Sequence, residues 1–242
     1  MDYIEISDPN SYELRQFHDV LVEAFPDPIE REDMEILRAN LLEGSWERGD
    51  EICRYHIIAA RWNGEIVGGV SFYFFSHNQT ALGIGSYLAV KEEFWERGIG
   101  TGLIDLRNQT LSRDARELNC HLKGLVIQVS DPQRMSAEEI EKDVVNSWER
   151  EQFWKRRGYR KIDFNFIQPS IREGEPPIEY LSFYIFPYCE EWKLSNHVSN
   201  SELRDIVDCF IKCTGTLGSA EADPAYLRMR SELEKQDHFR IL

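Results

Sequence analysis

The stretch Arg97-Gly98-Ile99-Gly100-Thr101-Gly102 places three glycines at alternate positions directly ahead of a helix-forming run. Glycine lacks a Cβ, so its backbone N–H approaches a ligand closely and reaches φ > 0 where a tight turn needs it. A helix that opens there turns N–H groups and the positive end of its dipole toward whatever occupies the loop. The chemistry this predicts is anion binding, with phosphate or pyrophosphate as the ligand. A Walker loop requires Lys and then Ser or Thr after its last glycine, and Gly102 is followed by Leu103-Ile104. A dinucleotide fingerprint requires G-x-G-x-x-G, whereas the spacing here is G-x-G-x-G. The strand predicted over 122–130 also lacks an acidic ribose partner at the usual distance.

A strand must feed this loop and a helix must leave it. Leu82–Val90 is apolar and β-prone, and 100–119 forms helix readily. Upstream, Tyr3–Ser7 alternates as a strand, and Ser11 caps a helix over Tyr12–Phe25 with Leu14, Phe17, Leu21 and Ala24 on one face. Pro26 and Pro28 end it, and a second helix is predicted over Arg31–Leu42. Strands at Arg54–Trp62 and Glu65–Phe75 are joined by Asn63-Gly64, a strong hairpin signal. Gly68-Gly69 within the second marks a bulge or a close backbone approach. Downstream, a charged helix runs from Ser136 to Gly158, followed by long strands at Tyr159–Gln168 and Ile178–Phe186. The tail, 188–242, reads as helices at Ser201–Cys213 and Asp223–Glu234, the first with Leu203, Ile206, Val207, Phe210 and Ile211 on one face.

The strand ending Leu88-Ala89-Val90, the loop Lys91–Glu96 and Arg97-x-x-Gly100-x-Gly102 together resemble motif A of the GNAT N-acetyltransferase superfamily. Glu92 stands where that family often has proline. The resemblance covers 1–187 and implies an α/β fold, a mixed central sheet flanked by helices; residues 188–242 lie outside it and read as a helical C-terminal extension packed on that domain. It further implies acetyl-CoA as co-substrate, direct transfer to an acceptor amine, and no metal. On that pattern the N–H groups of Arg97, Gly98, Ile99, Gly100, Thr101 and Gly102 hold the pyrophosphate. The backbone of Leu88, Ala89 and Val90 receives the pantetheine arm, and the Val90 N–H faces the developing oxyanion.

A second, partial match is Phe153-Trp154-x-x-x-Gly158-Tyr159, where the family carries a Tyr that protonates the departing thiolate. That position is Trp154, which offers no such proton. Ser147 and Arg150 likewise replace the usual Asn and Ala. In the basic cluster Lys155, Arg156, Arg157, Arg160 and Lys161, Arg156 is the candidate for the CoA phosphates. Tyr87 is the only ionisable side chain on Thr80–Val90 and therefore the candidate acid, a phenol titrating at roughly 10 when unperturbed. For the base, Asp131, Glu23, Glu30 and a water relay stay open.

Composition bounds the rest. An apolar fraction of 42% and an aromatic fraction of 12% over 242 residues are those of a folded globular chain. A net charge of −15 argues against nucleic acid or an anionic membrane as partner and suits a cationic amine acceptor. Five cysteines without C-x-x-C, and no leader-like N-terminus, fit reduced thiols in the cytoplasm. The expectation is an N-acetyltransferase acting on a small-molecule primary amine, with a homodimer left open. The alternatives are a protein N-acetyltransferase and a catalytically silent acyl-CoA sensor.

Overall fold

Strand β1 (Asp2–Glu5) and helix α1 (Tyr12–Ala24) open the computed structural model, which describes residues 1–172, 174–214 and 223–242. Ser11 caps α1, its Oγ accepting the Leu14 N–H at 3.2 Å, and Leu14, Phe17, Val20 and Leu21 are buried. After a 3-10 turn at Pro28–Glu30, helix α2 (Met34–Glu43) begins three residues later than predicted. Asp33 sets that start, because its carboxylate accepts the Ile36 N–H at 3.0 Å. Strands β2 (Trp46–Arg48), β3 (Glu51–Trp62), β4 (Glu65–His77) and β5 (Thr80–Val90) follow, then helix α3 (Ile99–Glu117). Asn63 and Gly64 take φ of 49° and 89°, as the tight β3–β4 hairpin requires. Asn78 and Gln79, at 48° and 61°, form a second such turn into β5.

The first compact unit spans Met1–Leu122, and its strands run antiparallel in the order β1-β3-β4-β5, with β2 also on β3. Gly68 and Gly69 pair with Val90 and Ala89. A Cβ on Gly69 would lie 2.6 Å from the Phe17 ring of α1, so the pair marks a close approach. A bulge also adjoins the pair, since Ala60 of β3 faces Gly68 but Arg61 faces Ile66, leaving Val67 as the extra residue, and a second lies in β5, where Ser71 pairs with Tyr87 but Phe72 pairs with Gly85, leaving Ser86 as the extra residue. On the opposite sheet face, His56 joins β1 and β3 to α3. Its Nδ1 meets Glu5 Oε1 and its Nε2 meets Asp114 Oδ2, each at 2.8 Å. Arg54 donates to Asp114 Oδ1 at 3.1 Å and to Glu117 Oε2 at 2.7 Å.

The second unit spans Lys123–Leu242. Strand β6 (His121–Ser130) begins at the boundary, followed by helices α4 (Ala137–Lys142) and α5 (Ser147–Arg156). The single helix predicted over 136–158 is thus two. Asp143 is extended and its carboxylate accepts from Arg150, while Asn146 caps the restart by accepting the Trp148 N–H at 3.0 Å. The predicted strand over 159–168 shortens to β7 (Arg160–Lys161). Beyond it, the Phe164 and Phe166 N–H groups bond two residues back, at 2.8 and 3.0 Å, which curls the chain out of the ladder.

Strand β8 (Leu181–Pro187) pairs with β6 and β7. Helix α6 (Glu190–Leu194), strand β9 (His197–Ser199), helices α7 (Asn200–Thr214) and α8 (Pro224–Leu233) and strand β10 (His238–Arg240) complete the chain. Trp192 covers Gly124 of β6, where a Cβ would lie 2.7 Å from its ring. Phe210 packs edge-on against Phe166 and Phe183, at 5.4 and 5.9 Å. Burial opposes the charge of Glu202, but donors from Trp192, Lys123 and Ser199 hold its carboxyl down at about 2. A chain ended at Pro187 would expose Phe166, Phe183 and Gly124 together, and it is expected to aggregate or to melt at clearly lower temperature. Light scattering and a thermal melt check this, and a soluble truncation of unchanged melting temperature overturns it. Among the described residues, no helix is long and apolar enough to cross a membrane.

Candidate active site

The glycine loop is shaped by one left-handed residue. Gly98, at φ 77°, caps α3 without a side-chain hydrogen bond, and the Gly102 N–H donates to the Gly98 carbonyl at 3.0 Å. That geometry puts the N–H groups of Gly98, Ile99 and Gly100 at the positive end of a 19-residue helix. A Cβ on Gly98 would meet nothing within 4 Å, and one on Gly100 only Val90 Cγ2 at 4.0 Å. Both glycines therefore border open space, which fits an anionic group bound by backbone. Gly102 serves differently, since a Cβ there would run into the Tyr3 side chain of β1. Ile99 is buried, and Thr101 stands in the same first turn of α3. Arg97 folds back, donating to the Glu93 carbonyl at 3.0 Å with its guanidinium 5.0 Å above the Phe94 ring.

The strand end is as specific. Lys91 N–H donates to the Val67 carbonyl at 2.9 Å, so the alternation of an antiparallel ladder turns the N–H and C=O of Val90 and Leu88 away from β4. The Val90 carbonyl accepts the Trp95 indole N–H at 2.7 Å. Ala89 is buried opposite Gly69.

Tyr87 lies on the α1 face of β5, because it pairs with Ser71, two residues along from Gly69. Its hydroxyl accepts the Glu32 N–H at 2.8 Å, and its ring meets Phe25 edge-on at 5.6 Å. Glu32 was not among the residues singled out from sequence, where it is one acid among Glu30, Asp33 and Glu35. In the fold it is only 6% exposed. Burial raises its carboxyl to about 7, the Asn40 amide works against that rise, and Asp33 adds to it.

The other candidate acids are engaged elsewhere. Asp131 accepts from Lys161 at 2.5 Å, Ser182 at 2.9 Å and the Gln133 N–H at 3.1 Å. Burial opposes its charge, yet Lys161 and Ser182 hold its carboxyl below the ordinary range. Glu23 is exposed and 3.6 Å from Lys91, and Glu30 is half-buried in the 3-10 turn. In the second unit, Trp154 is buried edge-on against Phe153 and Tyr159, and Arg156 is exposed in the last turn of α5. Among the described residues no group of three or more His, Cys, Asp or Glu side chains is arranged to hold a metal ion.

The family model described as "Acetyltransferase (GNAT) family" matches residues 14–139. Among solved structures, a putative GNAT-family acetyltransferase from Bacteroides thetaiotaomicron is 16% identical, over 90% of this chain and 98% of its own, with a TM-score of 0.55. A tandem GNAT protein from the clavulanic acid biosynthesis pathway is 13% identical, over 69% of this chain and 46% of its own, with a TM-score of 0.50. An aminoglycoside 6′-N-acetyltransferase complexed with coenzyme A is 15% identical, over 77% of this chain and 97% of its own, with a TM-score of 0.46. No curated protein sequence matches the chain. At these identities the structural likeness speaks for the fold, a mixed α/β arrangement with a mostly antiparallel sheet.

Proposed function

Because the chain belongs to the acetyltransferase (GNAT) family, we propose that it moves an acetyl group from acetyl-CoA to a primary amine of a small molecule. The observation that carries this reading is the pairing of two features in one unit. Gly98 and Gly100 border open space at the start of α3, and the neighbouring strand end turns the Val90 N–H outward from β4. The first suits a pyrophosphate and the second an oxygen that gains charge. The bound thioester supplies an activated acetyl group, and no metal is needed to activate it. The backbone of Leu88 and Val90 takes the extended arm of the donor as an added strand would, through main-chain hydrogen bonds, whereas Ala89, expected to share in this, turns its N–H and C=O toward Gly69 of β4.

Proton handling falls to the α1 side of β5. The Tyr87 hydroxyl accepts from the Glu32 N–H, and an accepting hydroxyl still carries its own proton to donate. We assign it the protonation of the leaving thiolate, which Trp154 does not supply. Tyr87→Phe keeps the ring and is expected to cut turnover roughly tenfold or more with acetyl-CoA affinity unchanged, within the range of a positioned general acid. Wild-type turnover in that variant would remove Tyr87 from the mechanism.

The reading as a whole is tested by thiol release from acetyl-CoA across polyamines, aminoglycosides, amino acids and a lysine peptide. Release with small amines supports it. Release with the peptide alone points to a protein acetyltransferase, and binding of acetyl-CoA without release to any acceptor points to a sensor.

A further inference from the structure

Two contacts hold Tyr87, and both come from the turn between α1 and α2. The Phe25 ring meets the phenol edge-on at 5.6 Å, and the Glu32 N–H donates to its hydroxyl at 2.8 Å. Phe25 caps the end of α1, and Glu32 directly precedes Asp33, which caps the start of α2. The two contacts therefore stand at opposite ends of one turn. Arg31, the neighbour of Glu32, ties those ends together. Its guanidinium donates to the Phe25 carbonyl at 2.7 Å and to the Pro26 carbonyl at 2.8 Å.

The turn needs such a tie. A helix leaves its last carbonyls without intrahelical donors, and a cation there meets both those carbonyls and the negative end of the dipole. Helix α1 has no basic residue in its own last turn, so Arg31 brings that charge from outside. Pro26 and Pro28 carry no N–H to offer. Asp27 shapes the chain locally, its carboxylate accepting the Ile29 N–H at 3.1 Å and its carbonyl the Glu30 N–H at 3.2 Å. Those bonds stay within 27–30, whereas the guanidinium reaches back to Phe25.

A hydroxyl that accepts from a fixed N–H has its own proton confined to a narrow set of directions. The edge-on contact with Phe25 limits the swing of the ring that carries it. Placement at this scale counts, because a displacement of about 1 Å at a reacting group costs about a hundredfold in rate. We propose that Arg31 is a positioning residue: by closing the α1–α2 turn it holds Phe25 and the Glu32 N–H against Tyr87, and so aims the phenol proton at the leaving thiolate. This rests on the acetyl-transfer reading and on the acid role assigned to Tyr87 above. Arg31 acts through the turn, and no contact with the reacting atoms is required of it.

The test compares Arg31→Met, which keeps the stem and removes the guanidinium, with Arg31→Lys, which keeps a charge able to donate to one carbonyl. With the best amine of the wild type, thiol release is expected to slow roughly three- to tenfold in Arg31→Met. The KM for acetyl-CoA should stay within about twofold of wild type, and Arg31→Lys should recover most of the rate. Arg31→Met combined with Tyr87→Phe should be no slower than Tyr87→Phe alone, because the turn then has no phenol proton to aim. A readout independent of turnover is the ring-carbon NMR signal of Tyr87 in tyrosine-labelled protein, assigned by its loss in Tyr87→Phe. Arg31→Met should move that signal and Arg31→Lys should restore it. If Arg31→Met does not fold, Arg31→Gln, with a shorter neutral donor, should show the same changes in smaller measure.

Wild-type turnover or an unmoved Tyr87 signal in the folded Arg31→Met chain overturns the proposal. So does a loss that persists at full size in the Tyr87→Phe background, which marks a merely structural role. Wild-type turnover in Tyr87→Phe sinks the acid role and this proposal with it, whereas a slowed Tyr87→Phe beside an unimpaired Arg31→Met sinks this proposal alone. If the wild type releases no thiol with any amine, acetyl transfer falls, and the Tyr87 signal by itself decides whether Arg31 holds the phenol in place.

Discussion

A Gly100→Asp chain is expected to fold as the wild type does and to bind acetyl-CoA at least roughly a hundredfold more weakly. The fold tolerates the change because a Cβ at Gly100 finds only Val90 Cγ2, at an ordinary 4.0 Å. The ligand does not tolerate it. Aspartate fills the space in front of the first N–H groups of α3 and sets a negative charge against the phosphates. Two like charges about 4 Å apart near a protein surface repel by about 4 kcal/mol, which alone exceeds a hundredfold in affinity. Fluorescence or calorimetric titration with acetyl-CoA measures the loss, and a circular-dichroism melt checks the fold. Unchanged affinity in a folded variant would mean that the glycine loop does not hold the pyrophosphate.

Asp114→Ala is expected to cost about 3–5 kcal/mol of stability, the range for removing one partner of a buried ion pair. Asp114 is fully buried, and its removal deprives both His56 and Arg54 of their shared carboxylate. Burial alone would lower the His56 value, but the hydrogen bonds to Asp114 and Glu5 raise it above the ordinary 6.5. The His56 hydrogen bond lowers Glu5, and it also lowers Asp114 against the effect of burial. A raised histidine stabilises fully below its ordinary value and loses that contribution as pH rises through the raised one. The lowered carboxyls stabilise above their ordinary values and lose it as pH falls through the lowered ones. All three contributions are present together between the ordinary carboxylate value of 4.5 and the ordinary imidazole value of 6.5. Wild-type stability should therefore be greater near pH 5.5 than near pH 8.5, with the difference reduced in Asp114→Ala. Urea unfolding at the two pH values tests this. A cost under about 1 kcal/mol, with parallel pH profiles, would show that the cluster adds no coupled stability.

Several elements are legible because their causes are local. The Asn63-Gly64 turn needs positive φ at both residues, and only a few residue types adopt it cheaply. Gly98 at φ 77° turns the chain into α3, and the alternate glycines mark that turn within six residues. Ser11 and Ser136 each cap a helix whose start they announce, the latter in a full capping box with Glu139.

What the sequence by itself determined is therefore the α/β class, the β3–β4 hairpin, and the succession of strand, glycine loop and helix. The tertiary structure alone decided which side chains meet there. The face of Tyr87 depends on the bulge at Ser86, which breaks the alternation of β5 and is visible only against the register of β4. The break between α4 and α5 depends on Arg150 reaching the Asp143 carboxylate, and the shortened β7 on Ile162 bridging to Ile241 near the end of the chain. Glu32 is the clearest case. The residues around it in the chain mark it as one more surface acid, whereas in the fold it is buried near Tyr55 of β3, and burial raises its carboxyl to about 7. Backbone geometry follows short-range sterics and can be read along the chain, whereas desolvation is set by whatever the distant strands bring alongside.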